Sequence, residues 1–301
     1  MVENPTLSYF MATRNKLPYL KRALEKLIAA KKPDEEILIA DGNSTDGSKE
    51  YLAQLKAEGK IDYLISEKDF GVAHALNKLI LKARGTLLKY LTDDDVFDYE
   101  AIEMCREFML AHPTVDLLSG ESGSYNRTNQ AFEQEDPLQL VRALDYTEQY
   151  KEWQKSHTPF PFCDLSTVLR RASLRVVGLY YLSFPGPDVE YSLRNTAGRG
   201  NIAWYTGYVS VNISNPQSVS IVFMKKTKKL TEAIYTFYLK RKAPSFIAQK
   251  LKVVYFKVKS FFRSKPKASG KFETNWPTLA GIAEKWLTIK NNQKKSEFLF
   301  K

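Results

Sequence analysis

Between Thr6 and Leu91 the chain repeats one pattern: a short apolar run, a polar cluster, then apolar residues at helical spacing. The runs are Thr6 to Ala12, Ile37 to Ala40, Ile61 to Ser66 and Thr86 to Leu91. Leu17, Leu20, Leu24, Leu27 and Ile28 repeat at helical spacing after the first, and Pro18 sits in that helix's first turn, where its missing N–H is harmless. Tyr51, Leu52 and Leu55 follow the second run, with Asp46 as the expected N-cap, and Val72, Leu76, Leu79, Ile80 and Ala83 follow the third. Apolar runs alternating with helices predict βαβ units, hence a mostly parallel sheet flanked by helices.

Further along, the pattern predicts a helix from Asp98 to Ala111, a strand Val115 to Ser119 and a polar, hairpin-like Ser122 to Gln134. A helix Pro137 to Lys155, a short strand Ser166 to Arg170, an irregular loop Leu182 to Pro187, a helix Asp188 to Arg199 and strand material from Ile202 to Ile213 follow. Past Ser220 the sequence becomes lysine-rich and helical. The expected division is an α/β catalytic domain over 1–220, with halves at 1–100 and 101–220, and a basic helical C-terminal extension over 221–301.

Charge follows that division. The chain carries 45 Lys+Arg and 34 Asp+Glu, net +11, yet Lys225 to Lys271 alone holds fifteen Lys/Arg and one acid, Glu232. This stretch is +14 and the remainder is 11 − 14 = −3. On a helix from Phe246 to Phe262, Phe246, Ile247, Leu251, Val254, Tyr255, Val258, Phe261 and Phe262 share one half of the wheel while Lys252, Lys259 and Arg263 take the other, and Val253 and Phe256 break the pattern. Such a helix suits an anionic membrane interface, and packing onto the catalytic body suits it equally. No nucleic-acid-binding module accompanies the charge, so nucleic acid is not an expected partner. Two cysteines, Cys105 and Cys163, make neither a disulfide framework nor a zinc site. With no signal-peptide pattern and no long uncharged apolar stretch, the expected location is cytoplasmic, peripheral on the membrane.

The polar clusters fall where an open α/β sheet binds ligands, beyond the carboxyl ends of the strands. They are Thr13-Arg14-Asn15, Asp41-Gly42-Asn43-Ser44-Thr45-Asp46-Gly47, Glu67-Lys68-Asp69-Phe70-Gly71 and Thr92-Asp93-Asp94-Asp95. Three adjacent carboxylates repel one another unless a cation sits among them, and Mg²⁺ or Mn²⁺ takes carboxylate oxygens together with phosphates. A metal bridging a diphosphate is the expected occupant. Asp41, straight after an apolar strand, is placed to accept from a ribose hydroxyl or a base N–H, although an Asx turn explains such residues too. Neither Gly-x-x-x-x-Gly-Lys-Ser/Thr nor Gly-x-Gly-x-x-Gly occurs, which leaves phosphate neutralisation to a metal.

These clusters, with Ala75, Asn77, Lys78 and Gly85 at their spacings, resemble the successive motifs of family-2 inverting glycosyltransferases of the GT-A fold. Ser166 to Arg171, Gly178-Leu179-Tyr180 and Pro187-Asp188-Val189-Glu190-Tyr191 resemble that family's acceptor side. The resemblance implies that Thr13, Arg14, Asn15 and Asp41 hold the nucleoside and that Lys68, Asp69 and Asn77 face the donor. It implies that Asp93, Asp94 and Asp95 form the metal motif: one alignment makes Asp94 the main ligand with Asp95 beside the sugar, and another pairs Asp93 with Asp95. Asp188 falls on the catalytic base, with Glu190 as the nearby alternative. The implied donor is a UDP-sugar, the cofactor Mn²⁺ or Mg²⁺, and the acceptor a saccharide or lipid-linked hydroxyl of bacterial surface polysaccharide or glycolipid synthesis.

Two other readings compete. A sugar nucleotidyltransferase would need a glycine-rich, lysine-containing phosphate loop, which Ala12 to Lys16 does not supply. A non-catalytic nucleotide-sugar-binding scaffold on the membrane would retain the clusters and lack turnover. Trp153, Phe160, Phe162, Tyr180, Tyr181 and Phe184 could wall an acceptor groove, although aromatics more commonly build core, and His112 and His157 read as surface residues.

Overall fold

The structure is a computed structural model describing residues 4–125, 137–182, 187–198, 200–213, 224–239 and 271–300. The loop around Phe184 and the basic helix expected over 246–262 lie outside the described residues.

Strands β1 (Leu7–Thr13), β2 (Glu35–Asp41), β3 (Tyr63–Ser66) and β4 (Leu87–Tyr90) pair in parallel in the order β4-β1-β2-β3. The helices between them are α1 (Leu17–Ala30), α2 (Ser48–Ala57) and α3 (Val72–Lys82). A short strand β5 (Val96–Phe97) and helix α4 (Tyr99–Ala111), capped by the Asp98 carboxylate on the Ala101 N–H, lead to β6 (Leu117–Tyr125). Beyond β4 the sheet continues through β8 (Val168–Arg170), β6, β9 (Ile202–Ile213) and β10 (Phe298–Leu299). Because β8 is antiparallel to both β4 and β6, and β9 is parallel to β6, strands β1–β4, β6 and β9 all point the same way. Thr13, Asp41, Ser66, Tyr90, Tyr125 and Ile213 therefore emerge at one edge.

Alternation along the strands divides the core. Leu7, Tyr9, Met11, Ile37 and Ile39 face α1, α2 and α4 through Leu20, Leu24, Leu27, Leu52 and Ile102. Phe10, Leu38, Ala40, Leu88 and Tyr90 face α3 and an aromatic group on the other side. Burial on both faces explains why the strands read as unbroken apolar runs. Each fully buried leucine contributes roughly 1.5–3 kcal/mol relative to exposure.

Several expectations shift. The helix expected over Pro137 to Lys155 is a 3-10 turn (Pro137–Leu140), a strand β7 (Val141–Leu144) and a shorter helix α5 (Thr147–Ser156). Val141 to Leu144 pairs antiparallel with Ser122 to Tyr125, and the ladder bonds override the local helical pattern. At the junction sits Glu121, buried beside a bulge in the β6–β9 pairing. Its carboxylate accepts from the Tyr146 and Thr147 N–H groups at 2.5 and 2.9 Å and from Trp204 Nε1 at 3.3 Å, closing the start of α5. Asp46 bridges two helices, accepting from the Leu17 N–H at 2.9 Å and the Ser48 N–H at 3.1 Å, while Gly47 takes the N-cap position of α2.

The short helix α6 (Leu174–Val177) precedes α7 (Asp188–Ala197), and α8 (Met224–Tyr238) lies against α7. The last helix, α9 (Lys271–Gln293), packs on β9, where Trp276, Leu279, Ala283 and Trp286 join Tyr19, Tyr125, Tyr208 and Val211 in a third core cluster. Its Glu284 pairs with Arg22 at 2.9 Å, and β10 adds to β9 antiparallel. The described end of the expected extension thus packs on, and adds a strand to, the sheet of the first 213 residues. Among the described residues no helix is long and apolar enough to cross a membrane.

Gly85 shows how tightly β1 and the approach to β4 are apposed: a Cβ there would stand 2.6 Å from the Ser8 nitrogen and 2.8 Å from the Leu87 oxygen. Because backbone atoms cannot yield like a side-chain tip, Gly85→Ala should lower unfolding free energy by about 1–3 kcal/mol in urea titration.

Candidate active site

The register that pairs Thr13 with Asp41 and Asp41 with Ser66 sets three strand ends side by side. Asp41 is buried, accepting from Ser66 Oγ at 2.6 Å and from the Ser44 N–H at 3.2 Å. Asn15, in the left-handed region at φ 53°, accepts from the Thr45 N–H at 2.8 Å while its own N–H donates to Ser44 Oγ at 2.8 Å, stitching the first two loops together. Arg14 is exposed and its aliphatic stem lies along Gly42, where a Cβ would meet it at 3.2 Å.

Across this edge lie Asp93, Asp94 and Asp95, only 6, 9 and 7% exposed. Thr13 Oγ1 donates to Asp93 at 2.6 Å, and Lys16 Nζ is 2.6 Å from Asp94. Asp95 is held on both oxygens, by Thr92 Oγ1 at 2.6 Å on one and by the Ile213 N–H at 2.7 Å and Asn212 Nδ2 at 3.2 Å on the other. Trp276 Nε1 supports the turn from behind by donating to the Asp94 carbonyl at 3.1 Å. Burial first, and the Asp94 charge second, push the Asp93 carboxyl up to about 7 and that of Asp95 up to about 8. Burial pulls the Lys16 ammonium down, but Asp94 and Asp93 outweigh it and leave it raised.

Three buried carboxylates with one lysine on them form a site short of positive charge, which fits a divalent cation. Among the described residues no three His, Cys, Asp or Glu side chains converge on a point. One or two protein oxygens completed by phosphate oxygens is the arrangement Mg²⁺ usually takes.

The other expected residues divide between the site and its frame. Lys68 is exposed, and Asp69 pairs with Lys78 at 2.6 Å and His74 at 3.2 Å. Asn77 is occupied by a backbone, donating to the Tyr180 carbonyl at 2.8 Å and accepting from its N–H at 2.9 Å. Asp188 opens α7 and is exposed; desolvation, which disfavours the carboxylate, raises its carboxyl, with the Val189 N–H acting in the opposite sense. Glu190 is 3% exposed and its Oε1 is occupied by Arg194 Nε and the Tyr238 hydroxyl, each at 2.9 Å. That ion pair locks α7 to the chain before it, because Arg194 also donates to the Val177 and Leu179 carbonyls.

Most of the expected acceptor wall is core: Trp153, Phe160, Phe162 and Tyr180 are buried and pack in the group containing Trp204. Tyr181 alone among the five described is exposed, at 53%, beside the Arg194 guanidinium. His157 is exposed, whereas His112 stacks on Phe108 at 4.0 Å.

Sequence reasoning missed two groups. Asp164, buried in a 3-10 turn (Asp164–Ser166), is pushed up to about 7 by burial first and the Asp188 charge second. Lys89, buried on β4, donates through Nζ to the Leu165 carbonyl and lies 5.2 Å from the Phe97 ring centre. A lysine inside Leu87-Leu88-Lys89-Tyr90-Leu91 was the available signal for the second.

Residues 8–176 match the family described as Glycosyl transferase family 2. The putative teichuronic acid biosynthesis glycosyltransferase TuaG of Bacillus subtilis is 28% identical over 119 residues, 39% of this chain and 47% of that protein. A chondroitin synthase of Escherichia coli is 29% identical over 101 residues, 34% of this chain and 15% of that one. The matched stretch is therefore less than half the length of these curated relatives. Among solved structures, S. aureus TarS 1-349 in complex with UDP-GlcNAc superposes with TM-score 0.54 at 14% identity, covering 94% of this chain and 81% of that one. The mannosyltransferase PcManGT from Pyrobaculum calidifontis in complex with GDP-Man and Mn2+ gives 0.50 at 15% identity, covering 97 and 88%. At these identities the likeness is one of fold.

Burial lowers the Lys89 ammonium from 10.5 to about 8. Between these pH values the unfolded chain keeps a proton that the folded protein has lost, so this lysine's penalty is full below about pH 8 and fades as pH rises to 10.5. The stability of the wild type minus that of Lys89→Met should therefore increase over that interval, by on the order of 3 kcal/mol at 1.36 kcal/mol per unit, in parallel urea titrations.

Proposed function

The chain belongs to glycosyltransferase family 2, and from that premise we propose a metal-dependent inverting enzyme. It moves a sugar from a nucleotide-diphospho-sugar, a UDP-sugar by preference, to a hydroxyl of a saccharide or lipid-linked acceptor in bacterial surface polysaccharide or glycolipid synthesis. The observation that carries the reading is the meeting of strand ends at one edge of the sheet: Thr13, Asp41 and Ser66 lie side by side, Thr13 Oγ1 donates to Asp93 at 2.6 Å, and the Ile213 N–H holds Asp95 at 2.7 Å, so a nucleoside-sized polar edge borders a buried acidic triplet. Support for the donor comes from the fold relatives held with UDP-GlcNAc and UDP, and for a metal from the one held with Mn2+.

In this reading Asp41 accepts from the nucleoside, with Thr13, Arg14 and Asn15 shaping its pocket, and Lys68 and Asp69 border the donor. Asp94 would hold Mn²⁺ or Mg²⁺, with Asp93 and Asp95 adding charge from their bonded positions. The metal, when bound, neutralises charge developing on the departing diphosphate. Asp188 takes the proton of the acceptor hydroxyl as its oxygen attacks the anomeric carbon, the bond to the diphosphate breaks, and a single displacement inverts that carbon. Glu190, committed to Arg194 and Tyr238, holds the helix that presents Asp188.

Asp188→Asn should reduce transfer by about 10²–10⁴-fold while the thermal shift produced by UDP-sugar with Mn²⁺ persists. Asp94→Ala should lose both, and near-normal turnover of Asp188→Asn would overturn the base assignment.

The basic residues of 225–271 belong to the same proposal as the means of placing the enzyme on an anionic, cytoplasmic membrane face, beside a lipid-linked acceptor. Replacing Lys250, Lys252, Lys257 and Lys259 with glutamine should weaken binding to phosphatidylserine vesicles by about 1 kcal/mol per lysine in sedimentation, and unchanged binding would remove the membrane from the proposal.

A further inference from the structure

The geometry points to Lys16 as a diphosphate-binding residue that leaves Asp94 when a divalent cation binds there, an inference that deepens the nucleotide-sugar reading and rests on it. Lys16 Nζ stands 2.6 Å from Asp94 Oδ2, and both side chains are only 12% exposed. A carboxylate that holds an ammonium at this distance cannot take a divalent cation without bringing two positive charges close together. With so little solvent to screen them, that repulsion is strong. The ammonium and the cation are therefore competitors for Asp94 unless new negative charge enters the site.

The surroundings fix everything about Lys16 except its side chain. Asn15 before it is tied to the second loop through Ser44 and Thr45, and the Lys16 carbonyl accepts from the Tyr19 and Leu20 N–H groups at 3.0 and 2.9 Å. The ammonium lies 5.2 Å from the centre of the Tyr19 ring, which Trp276 meets edge to face at 5.0 Å. Trp276 in turn donates to the Asp94 carbonyl at 3.1 Å. Lysine and aspartate thus stand on one base, built from α1 and α9, in which Tyr19 and Trp276 are 1 and 2% exposed. What can move is a flexible four-carbon stem carrying a point charge.

The loop that bears Lys16 also says where the charge goes. Thr13 pairs with Asp41 in the strand register and donates to Asp93 at 2.6 Å, so Thr13 to Lys16 runs between the proposed nucleoside pocket and the triplet. A diphosphate that joins a nucleoside at Asp41 to a metal at Asp94 passes along this loop. The sequence supplies no glycine-rich cradle for it, and a lysine ammonium is a ready phosphate partner. The negative charge of the diphosphate admits the metal beside Asp94 and gives the released ammonium a new partner. Lys16 consequently opposes the metal alone and favours the metal together with diphosphate.

The test uses the full chain and two binding measurements: Mn²⁺ titrated alone, followed by the EPR signal of the free ion, and UDP titrated at saturating Mn²⁺ by calorimetry. Lys16→Met should bind Mn²⁺ alone about tenfold more tightly than the wild type and UDP about tenfold more weakly. Lys16→Arg, which keeps the charge, should move both values back toward the wild type. Uridine, which carries no phosphate, should bind the wild type and Lys16→Met alike. Opposite signs for metal and UDP separate this role from a structural one, because damage to the turn weakens both. Mn²⁺ binding that is unchanged or weaker in Lys16→Met, unchanged UDP binding, or an equal loss of uridine would overturn the inference. Lys16→Gln decides in the same way if the methionine variant does not fold. A wild type that takes up neither Mn²⁺ nor UDP would overturn the nucleotide-sugar reading itself.

Discussion

A sheet covered on both faces can present chemistry only at its ends. In this protein helices α1, α2 and α4 close one face of β1–β4, and α3 with the Trp204 aromatic group closes the other. Polar side chains on the strands can then reach a ligand only where the strands stop. The parallel pairing of Thr13 with Asp41 and Asp41 with Ser66 brings those stops together, and the antiparallel β8 restores the common direction for β6 and β9. Ile213 at the end of β9 can consequently bond Asp95 at the end of β4, although 118 residues separate them.

The same geometry determines how charge is handled. Around Asp93 to Asp95 the carboxylates are opposed by Lys16 and by hydroxyl and amide donors, an incomplete balance that a divalent cation and a diphosphate would complete. Around the buried Asp164 the opposing group is a phenol, the Tyr180 hydroxyl that donates to its Oδ2 at 3.2 Å. Tyr90 is pushed to its neutral form by burial first and then by the charges of Asp164 and of the triplet.

Much of this was legible in the sequence wherever a signal was local. The unbroken apolar runs reported burial on both faces, and the polar clusters behind them marked the strand ends because period-two alternation forbids such clusters within a buried strand. Pro137 to Lys155 was misread because β7 exists only through pairing with β6, a contact that periodicity does not encode. Asn77 and Glu190 carry the residue types of a site, yet their bonds go to the Tyr180 backbone and to Arg194. Asp164 escaped notice since its hydroxyl partner, Tyr180, is brought to it by the fold rather than by any local pattern.

The hydrogen bond from Trp276 to the Asp94 carbonyl ties a residue of the last helix to the turn that bears the triplet, and Trp276 also meets Tyr19 edge to face at 5.0 Å. During synthesis the strands and the acidic turn emerge long before this indole does. The sheet can form early, but the triplet acquires its backing only once α9 has left the ribosome and docked. The acidic turn therefore takes its backing from an indole 182 positions downstream, so the strands that form the edge precede the residue that supports it.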